Sequence, residues 1–327
     1  MILSIVLPVY NTEMYIRRCI QSILNQDLKS FEVIVINDGS TDNSLEIIKE
    51  LVGEDNRFKV ITTSNQGQAN ARKMGIDISK GQYIGFLDSD DFISPNYFSR
   101  HLDNIVKEEA DISILGYKLY YSSNQSINMS NEKIYESYTG DELKYQWISS
   151  VQFKGFLWDK VFKRELFNNV IYQTDFNFME DVAIGNYLFF NAQKIIYDGT
   201  PLYYYVQRTD NSVAQEYQKN DIKALECVSF MKNYVTNDKL KTAVEDRYAL
   251  VALSLMARIR VSNRYENVAL NIQRQCKKVK FDFFKSKLPF IYKLLFFLLI
   301  KGKYTKNVDT LKDSLIKFKQ TIKQYVN

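Results

Sequence analysis

Three carboxylates lie within four residues in the segment Asp88-Ser89-Asp90-Asp91. They directly follow the apolar run 82–87, a pattern that predicts a buried strand. Like charges this close repel one another unless a cation or hydrogen-bond donors compensate them. Mg²⁺ and Mn²⁺ prefer carboxylate ligands and commonly carry substrate phosphates as well. One aspartate could instead cap a helix starting near Ser94. Because a cap needs only one carboxylate, the cluster favours a metal site.

A second acidic pair, Glu180-Asp181, lies where the sequence predicts the start of a helix. Acidic residues are favourable there for the helix dipole alone, so the pair taken by itself has a structural interpretation. The single histidine, His101, lies on the helix predicted after the Asp cluster and is interpreted as a surface or core residue rather than a base. A general base would therefore have to be sought among the carboxylates.

Several other residues have both a functional and a structural interpretation. Asp38 follows a predicted strand and could accept a hydrogen bond from a nucleobase N–H, although Asp-Gly is also a common turn. Arg72 is either a binding residue or a solvated helix residue. Trp158 could stack on the face of a sugar or lie in the core. Arg208 is a candidate for binding a diphosphate.

The elements that must position these residues follow an alternating pattern over the first hundred residues. Apolar runs at Leu3–Val9, Phe31–Ile36, Phe58–Thr62 and 82–87 predict strands, and amphipathic runs between them predict helices. This order implies a mostly parallel sheet with right-handed crossovers. The polar loops 10–12, 38–42 and 88–91 each follow the carboxyl end of a strand, which is the edge where open α/β sheets bind ligands.

The pattern is mixed beyond Gly116. Ser122–Tyr138 is polar and predicts a loop or hairpin, Trp158–Leu166 a short helix, Val182–Asn191 another helix, and Leu202–Val206 a strand. From about Tyr217 onwards the sequence is helical. We therefore predict an α/β domain over residues 1–212 and a helical C-terminal region over residues 213–327.

Charge and cysteine content limit the possible partners. The net charge is +5, but the segment 277–306 holds nine Lys and one Asp, so the remainder is slightly acidic. A non-basic main domain argues against nucleic acid as a partner. The three cysteines, Cys19, Cys227 and Cys276, are widely spaced and odd in number, which fits a reducing cytoplasm without a disulfide framework or zinc site.

The run Leu288–Ile300 is apolar apart from Lys293 and is flanked by lysines on both sides. It is too short to span a bilayer but suits an interfacial segment beside anionic lipid. The alternative is a core helix of a C-terminal bundle. The apolar start Met1–Val9 is too short for a signal peptide and lacks a basic lead, so it is predicted to be a strand.

Together these segments resemble the family-two glycosyltransferases, which are enzymes of bacterial polysaccharide and cell-wall synthesis with the GT-A fold. The resemblance is close over residues 3–91 and extends more loosely to about residue 212. The matching segments are Ser4-Ile-Val-Leu-Pro-Val-Tyr-Asn11, Val35-Ile-Asn-Asp-Gly-Ser-Thr-Asp42, Asn65-Gln-Gly67, Ala71-Arg72, Gly81-Gln-Tyr-Ile-Gly-Phe-Leu-Asp-Ser-Asp-Asp91 and Glu180-Asp181.

The resemblance implies a nucleotide pocket built on the first strands. In this family pattern Asp38 binds uracil, Pro8 and Tyr10 line the same pocket, and Asn65 and Arg72 complete it. Asp88 would contact the ribose or the metal.

The resemblance also implies the catalytic groups. Asp90, with Asp88, would hold Mn²⁺ or Mg²⁺, while Asp91 would support them as a further member of the metal site or cap the next helix. Asp181 would be the base, and Glu180 would contact or orient the acceptor. The segment that begins at Trp158 resembles the acceptor side of these enzymes.

The expected function is that of an inverting glycosyltransferase. It would move a sugar from a UDP-sugar to a hydroxyl of a saccharide or lipid-linked saccharide during capsule, exopolysaccharide or cell-wall glycan synthesis. We expect it in the cytoplasm, peripheral on the inner face of the cell membrane.

One alternative is a sugar nucleotidyltransferase, which would usually show a Gly-rich basic phosphate loop where this chain has Pro8–Asn11. Another is a non-catalytic nucleotide-sugar or glycan-binding module, which would not need the Asp cluster and Asp181 together.

Overall fold

The structure is a computed structural model of the 327-residue chain. It describes residues 2–121, 125–150, 153–168, 170, 179–207, 221–262, 266–279 and 281–301. The chain divides into two compact units. The first comprises Met1–Leu143, Gly155–Asp175 and Glu180–Asn211, and the second Lys144–Lys154, Phe176–Met179 and Ser212–Asn327.

Strands and helices alternate through the first half of the chain, and helices dominate its end. The strands are β1 (Leu3–Val9), β2 (Phe31–Asn37), β3 (Phe58–Thr62), β4 (Tyr83–Phe86), β5 (Phe92–Ile93), β6 (Ile112–Tyr120), β7 (Ser126–Asn128), β8 (Tyr135–Thr139), β9 (Lys160–Lys163) and β10 (Lys194–Val206). The helices are α1 (Ile16–Leu24), α2 (Ser44–Val52), α3 (Gln68–Ile78), α4 (Tyr97–Glu108), α5 (Gly140–Ser149), α6 (Glu180–Asn191), α7 (Lys223–Phe230), α8 (Asp238–Ser262), α9 (Glu266–Cys276) and α10 (Phe290–Ile300). Short 3₁₀ turns occupy Arg164–Phe167 and Met231–Tyr234.

The strands of the first unit form one sheet in the order β3-β2-β1-β4-β9-β6-β10-β5. Its first four strands are parallel to one another, and β6 is parallel to β10. Strand β9 runs antiparallel between β4 and β6. Strand β7 pairs with β6, and β8 pairs with β10, both antiparallel. The predicted α/β architecture with a mostly parallel central sheet is confirmed.

The parallel strands are covered on both faces, which explains their continuous apolar sequences. All seven residues of β1 and all seven of β2 are buried. On one face Ile5 and Leu7 belong to the same core cluster as Ile20 of α1. On the other face Ile36 of β2 packs with Ala71 of α3. The strand period of two therefore divides the core between two helical layers.

The prediction of a short helix over Trp158–Leu166 is wrong. The segment forms β9 and then the 3₁₀ turn, with Val161 and Phe162 fully buried. Val161 lies opposite Gly85 of β4 on one side and Ser113 of β6 on the other. Pairing on both edges, which short-range periodicity does not reveal, outweighs the weak helical spacing of so short a segment.

The second unit confirms the predicted C-terminal helices. Helix α8 packs against α7, α9 and α10. Helix α10 contributes Tyr292, Leu295, Phe296 and Leu299 to the buried residues of this unit. Among the residues that the structure describes, no helix has both the length and the apolar character needed to cross a membrane.

The turn that leads into β4 fixes the strand carrying the Asp cluster. The Ser4 hydroxyl donates to Glu32 Oε1 at 2.6 Å, and the Gly81 N–H donates to Ser4 Oγ at 2.8 Å. Ser4 and Glu32 are both buried, so this polar contact is shielded from water. A Cβ at Gly81 would lie 2.5 Å from the Ser4 nitrogen and 2.7 Å from the Leu3 carbonyl carbon. Close approach of two backbones therefore requires glycine here.

We predict that Gly81→Ala lowers the free energy of unfolding by about 3 kcal/mol or more, because backbone atoms cannot move aside as a flexible side chain can. The matched control is Gly140→Ala, where φ is +54° but an added Cβ would meet open space. That variant should lose about 1–2 kcal/mol, the usual cost of a left-handed residue. Urea unfolding of both variants tests this; an equal or larger loss for Gly140→Ala would contradict it.

Candidate active site

A buried arginine joins the two acidic segments that the sequence singled out. Arg72 of α3 is 1% exposed, and its Nη2 donates to Asp88 Oδ1 at 2.9 Å. Its Nη1 donates to Asp181 Oδ1 and lies 3.5 Å from Glu180 Oε1. One guanidinium thus binds a carboxylate after β4 and two at the start of α6. A planar fork with several donors is well suited to such shared contacts.

Small residues on α3 allow Arg72 to reach this position. Ala69, Ala71 and Gly75 are buried on the helix. A Cβ at Gly75 would lie 2.4 Å from Val6 Cγ1, so the helix lies directly on β1. From this close packing, Arg72 extends to the carboxyl edge of the sheet, where open α/β folds place their ligand sites.

The charges around Arg72 shift the protonation of Asp181. Burial raises the pKa of Asp181 to about 7; the charge of Arg72 opposes this rise, and those of Glu180 and Asp88 add to it. Burial alone would lower the pKa of Arg72, but Asp181, Asp88 and Glu180 raise it above its usual value. Arg72 therefore stays cationic, while Asp181 can exchange a proton near neutral pH. A carboxylate with such a pKa suits general acid–base catalysis.

The Asp cluster divides into an accessible part and a buried part. Asp88 is 19% exposed, and its Oδ1 also accepts a hydrogen bond from Gln68 Nε2 at 3.1 Å. Asp90 is half-buried. Asp91 is fully buried and accepts from the Tyr203 hydroxyl at 2.6 Å and the Val206 N–H at 2.8 Å. Its contacts with β10 favour the supporting role over direct contact with a metal.

The carboxylates at this edge fit a metal ion that takes some of its ligands from the protein and the others from the substrate. Within the described ranges, no three Asp, Glu, His or Cys side chains surround a common position. Asp88 and Asp90 are the less buried carboxylates of the cluster. Mg²⁺ is usually bound by one or two carboxylates and completes its coordination with phosphates and water. The assignment of Mn²⁺ or Mg²⁺ to these two residues stays a prediction.

Asp38 fastens the loop that leads into α3. It is 4% exposed, and its two oxygens accept the N–H groups of Gln66 and Gly67, each at 2.8 Å. Gly39 has a φ of +73°, and a Cβ there would lie 2.8 Å from the Asn65 nitrogen. The pair Asp38-Gly39 therefore holds loop 63–67 against the end of β2. Each carboxylate oxygen accepts more than one hydrogen bond, so a contact with uracil stays a prediction.

The loops after β1 and β2 are brought together, as expected for neighbouring parallel strands. The Thr41 N–H donates to Asn11 Oδ1 at 2.8 Å, and the Asn11 N–H donates to Ser40 Oγ at 3.2 Å. Pro8 is buried, whereas Tyr10 is 48% exposed. Asn65 is also exposed. Tyr10 and Asn65 therefore offer accessible side chains to a ligand, and Pro8 shapes the strand beneath them.

Trp158 lies in the core of the first unit. It is 2% exposed, and its ring stacks on Tyr203 with centroids 4.2 Å apart and on Phe156 at 4.6 Å. This burial corrects the expectation that Trp158 stacks on an acceptor sugar, because aromatic side chains already occupy its surroundings. Arg208, the candidate for the diphosphate, lies outside the described residues.

His101 is a core residue, which is one of the two structural interpretations that the sequence left open. It is fully buried, its Nδ1 lies 2.9 Å from Ser113 Oγ, and burial lowers its pKa to about 3. The imidazole is therefore neutral at physiological pH. Its partner Ser113 is the second residue of β6 and therefore lies near the amino end of that strand, away from the carboxyl edge of the sheet. His101 is not among the groups named above as shifting the pKa of Asp181.

A buried ion pair next to Asp181 was not identified from the sequence. Lys160 is fully buried and donates to Asp159 Oδ1 at 2.5 Å and to the Phe156 carbonyl at 2.6 Å. These bonds close the turn before β9. Within the same turn, the Leu157 N–H donates to Asp181. The adjacent charges in Trp158-Asp-Lys were a possible signal, because neither residue type is usually buried without a partner.

Comparison with known proteins identifies related chains. A family model described as glycosyl transferase family 2 matches residues 4–179. EpsH of Bacillus subtilis, provisionally named a glycosyltransferase, is 34% identical over 223 residues, which are 66% of this chain and 63% of EpsH. The glycosyltransferase GlyG of Streptococcus pneumoniae is 32% identical over 231 residues, which are 66% of this chain and 74% of GlyG. The chain thus spans less than two thirds of the length of EpsH.

A solved structure shares the fold. The crystal structure of S. aureus TarS residues 1–349 in complex with UDP-GlcNAc aligns with a TM-score of 0.75 at 18% identity, covering 97% of this chain and 92% of that chain. The same TarS fragment in complex with UDP aligns with a TM-score of 0.67 at 17% identity. The alignment confirms the GT-A fold expected from the sequence.

We predict that Arg72→Met is destabilising, and more so at about pH 9 than at about pH 6. In the folded protein, burial raises the pKa of Asp181 from 3.8 to about 7, so stability from this group falls as the pH rises through that window. Without Arg72 the folded-state pKa rises further, and the loss continues above 7. At the higher pH the cost should reach about 3–5 kcal/mol, the usual result of leaving a buried charge unpaired.

Urea unfolding at both pH values measures the effect. The matched control is Arg57→Met, which breaks a partly exposed pair with Asp55 at 2.7 Å. Arg57 lowers the pKa of Asp55, so Asp55 is ionised at both pH values and the control should show the same small change at each. A constant difference between wild type and Arg72→Met would contradict the coupling to Asp181.

Proposed function

This chain belongs to glycosyl transferase family 2, and we propose that it transfers a sugar, with inversion, from a UDP-sugar to a hydroxyl of a saccharide acceptor. The observation that carries the proposal is the contact of one buried guanidinium, that of Arg72, with both Asp88 and Asp181. It links the expected donor side to the expected acceptor side. The complexes of TarS with UDP-GlcNAc and UDP, on the same fold, support the nucleotide.

The donor would lie across the ends of β1, β2 and β4. Tyr10 would pack against the uracil above Pro8, and Asp38 would accept a hydrogen bond from the base. Asn65, held in place by the Asp38-Gly39 turn, would contact the same nucleotide. An edge that several loops form together positions a ligand at multiple points, and such positioning lowers the barrier of a bimolecular transfer.

Asp181 would act as the general base. The acceptor hydroxyl gives its proton to Asp181, and its oxygen forms a bond to the anomeric carbon. The bond from that carbon to the diphosphate oxygen breaks, its electron pair leaves with UDP, and the configuration at the carbon inverts. Asp181 is 16% exposed, so its carboxylate can be reached, and burial raises its pKa to about 7. Glu180, beside it, would orient the acceptor.

Arg72 would keep these groups in place during the reaction rather than bind the nucleotide directly. Its hydrogen bonds to Asp181 and Asp88 fix the orientation of both carboxylates. When Asp181 accepts a proton it loses its charge, and Arg72 remains paired with Asp88 and Glu180. A preorganised charge of this kind needs no rearrangement as charge develops in the transition state.

Asp88 and Asp90 would hold Mn²⁺ or Mg²⁺. When bound, the ion would neutralise the charge of the diphosphate as it becomes a leaving group. Asp91 holds the cluster from beneath through its bonds to Tyr203 and Val206. The two accessible carboxylates are thereby fixed relative to the end of β10.

We propose that the acceptor is a saccharide or lipid-linked saccharide of capsule, exopolysaccharide or cell-wall glycan synthesis. A lipid-linked acceptor lies at a membrane surface, so the protein would work in the cytoplasm as a peripheral protein on the inner face of the cell membrane. The close resemblance of residues 3–91 to enzymes of bacterial polysaccharide synthesis supports this class of acceptor. The lysine-rich segment 277–306 supports the location.

A UDP-release assay with a panel of UDP-sugars, with Mn²⁺, Mg²⁺ or a chelator, tests the proposal. We expect metal-dependent release that Asp90→Ala reduces by at least about 100-fold, because the cation would lose a ligand. Asp77→Ala is the matched control, since Asp77 is 49% exposed and pairs with Lys73 at the surface. It should leave release unchanged.

Other outcomes would overturn parts of the proposal. Full activity in the presence of the chelator would contradict the proposed role of a metal ion. Binding of UDP without turnover of any donor, in the presence of membrane extracts that supply acceptors, would favour a non-catalytic binding module. Formation of a UDP-sugar from UTP and a sugar phosphate would identify a nucleotidyltransferase.

Asp181→Asn should lower the transfer rate by about 10²–10⁴-fold, the usual contribution of a general base. In the wild type kcat/KM should rise with pH to a plateau above about 7, because Asp181 must lose its proton before it can accept one. The residual activity of the variant should lack this rise. Glu180→Gln is the control: its rate should fall less, and its pH profile should keep the rise. Full activity in Asp181→Asn would contradict the assignment of Asp181 as the general base.

A further inference from the structure

Helix α10 is apolar apart from Lys293, although only one side of it is buried. Tyr292, Leu295, Phe296 and Leu299 recur at helical spacing and are buried within the second unit. Helix α10 packs against α8 and α9. A helix of a water-soluble bundle usually carries polar residues on its other side.

The other side of α10 instead carries large apolar residues. Phe290 is 67% exposed, Ile291 42% and Phe297 44%, and Leu294 and Leu298 are half-buried along the same side. Just before the helix, Phe284 is 94% exposed. Exposed apolar residues grouped in this way mark interaction sites, whereas single ones are ordinary.

Aromatic contacts make this group continuous. The Phe283 ring lies 5.8 Å from that of Phe284 and 5.9 Å from that of Phe290. Lysines border it: Lys293 Nζ is 5.7 Å from the Phe283 ring, and Lys301 Nζ is 5.5 Å from the Phe297 ring. We call Phe283, Phe284, Phe290, Ile291, Leu294, Phe297 and Leu298 the α10 face.

Positive charge surrounds the α10 face. Lys277, Lys278, Lys285, Lys287 and Lys301 are exposed. Acidic groups also lie beside this segment, among them Asp246, whose Oδ2 accepts the Lys287 N–H at 2.8 Å, and Glu245, which interacts with Asp282. Asp282 accepts the N–H groups of Phe284 and Lys285, and Asp238 Oδ2 lies 3.9 Å from Lys285 Nζ. The lysines of the segment outnumber these acids, so its surface is cationic.

We propose that the α10 face docks on an anionic lipid surface. Aromatic and aliphatic side chains enter the boundary between headgroups and acyl chains, and surrounding lysines contact the negative headgroups. Two copies of this face would bring their lysines together, so a second copy is a poorer partner. Nucleic acid would match the lysines but not the exposed aromatic rings. The combination of apolar face and basic border fits lipid better than either alternative.

The inference deepens the proposed function and rests on it for its purpose, since a lipid-linked acceptor would be presented at that surface. Its physical basis is independent of catalysis. The α10 face contains none of the residues assigned to the nucleotide, the metal or the base. Vesicle binding and UDP release with a soluble acceptor can therefore fail separately.

Cosedimentation of the full chain with vesicles tests the proposal. We expect binding to vesicles of phosphatidylcholine mixed with phosphatidylglycerol, weak binding to phosphatidylcholine alone, and release by added salt, which screens charges beyond about 8 Å at physiological strength. The double variant Phe290→Ser/Phe297→Ser should weaken binding by on the order of 100-fold, because two large apolar side chains would no longer be transferred from water into the lipid. The control is Leu270→Ser, since Leu270 of α9 is 44% exposed and lies outside the α10 face; this variant should bind as the wild type does.

A second variant separates charge from apolar contact. Lys277→Gln/Lys278→Gln should weaken binding to the mixed vesicles while keeping the wild-type melting temperature, since both side chains are exposed. No binding to either vesicle, or equal binding to both that salt does not alter, would overturn the proposal. Concentration-dependent dimers that Phe290→Ser/Phe297→Ser abolishes, without vesicle binding by the wild type, would assign the face to a second copy instead.

Discussion

The buried guanidinium of Arg72 is the contact on which the carboxyl edge of the sheet depends. Asp88, Glu180 and Asp181 carry three negative charges into one small region, and carboxylates at such separations repel one another. Arg72 lies among them with 1% of its side chain exposed. The close packing of α3 on β1 positions Arg72 there. The electrostatics of the edge therefore depend on the packing of the core.

In the layers beneath this edge, two further buried titratable side chains have hydrogen-bond partners. Asp91 is bonded to Tyr203 and Val206, and Lys160 is bonded to Asp159. Such groups contribute little net stability, because their desolvation offsets most of their attraction. Removing one partner is costly, however, and this asymmetry restricts each side chain to one arrangement. The apolar layers provide the stability, and the paired charges set the positions of the accessible carboxylates.

Local sequence patterns were sufficient for the elements that depend on local information. The strands β1 and β2 are continuous apolar runs, and the Asp cluster follows one such run, so its place at the sheet edge could be predicted. The insertion of β9 between β4 and β6 could not, because pairing partners distant in the chain determine it. The burial of Trp158 has the same origin, since Tyr203, on which it stacks, lies on a different strand. The resemblance to a family placed Arg72 near the nucleotide, but its contact with Asp181 joins residues 109 positions apart.

That long-range contact ties the protonation of Asp181 to the state of Asp88. The charge of Asp88 raises the pKa of Asp181, and the charge of Arg72 lowers it. Any partner that neutralises Asp88 therefore lowers the pKa of Asp181, because it removes one repulsion while the attraction of Arg72 remains. A cation held at the donor side by Asp88 and Asp90, as proposed above, would do this. Occupation of the donor side would then favour the ionised form of Asp181, which is the form that can accept a proton from an acceptor hydroxyl.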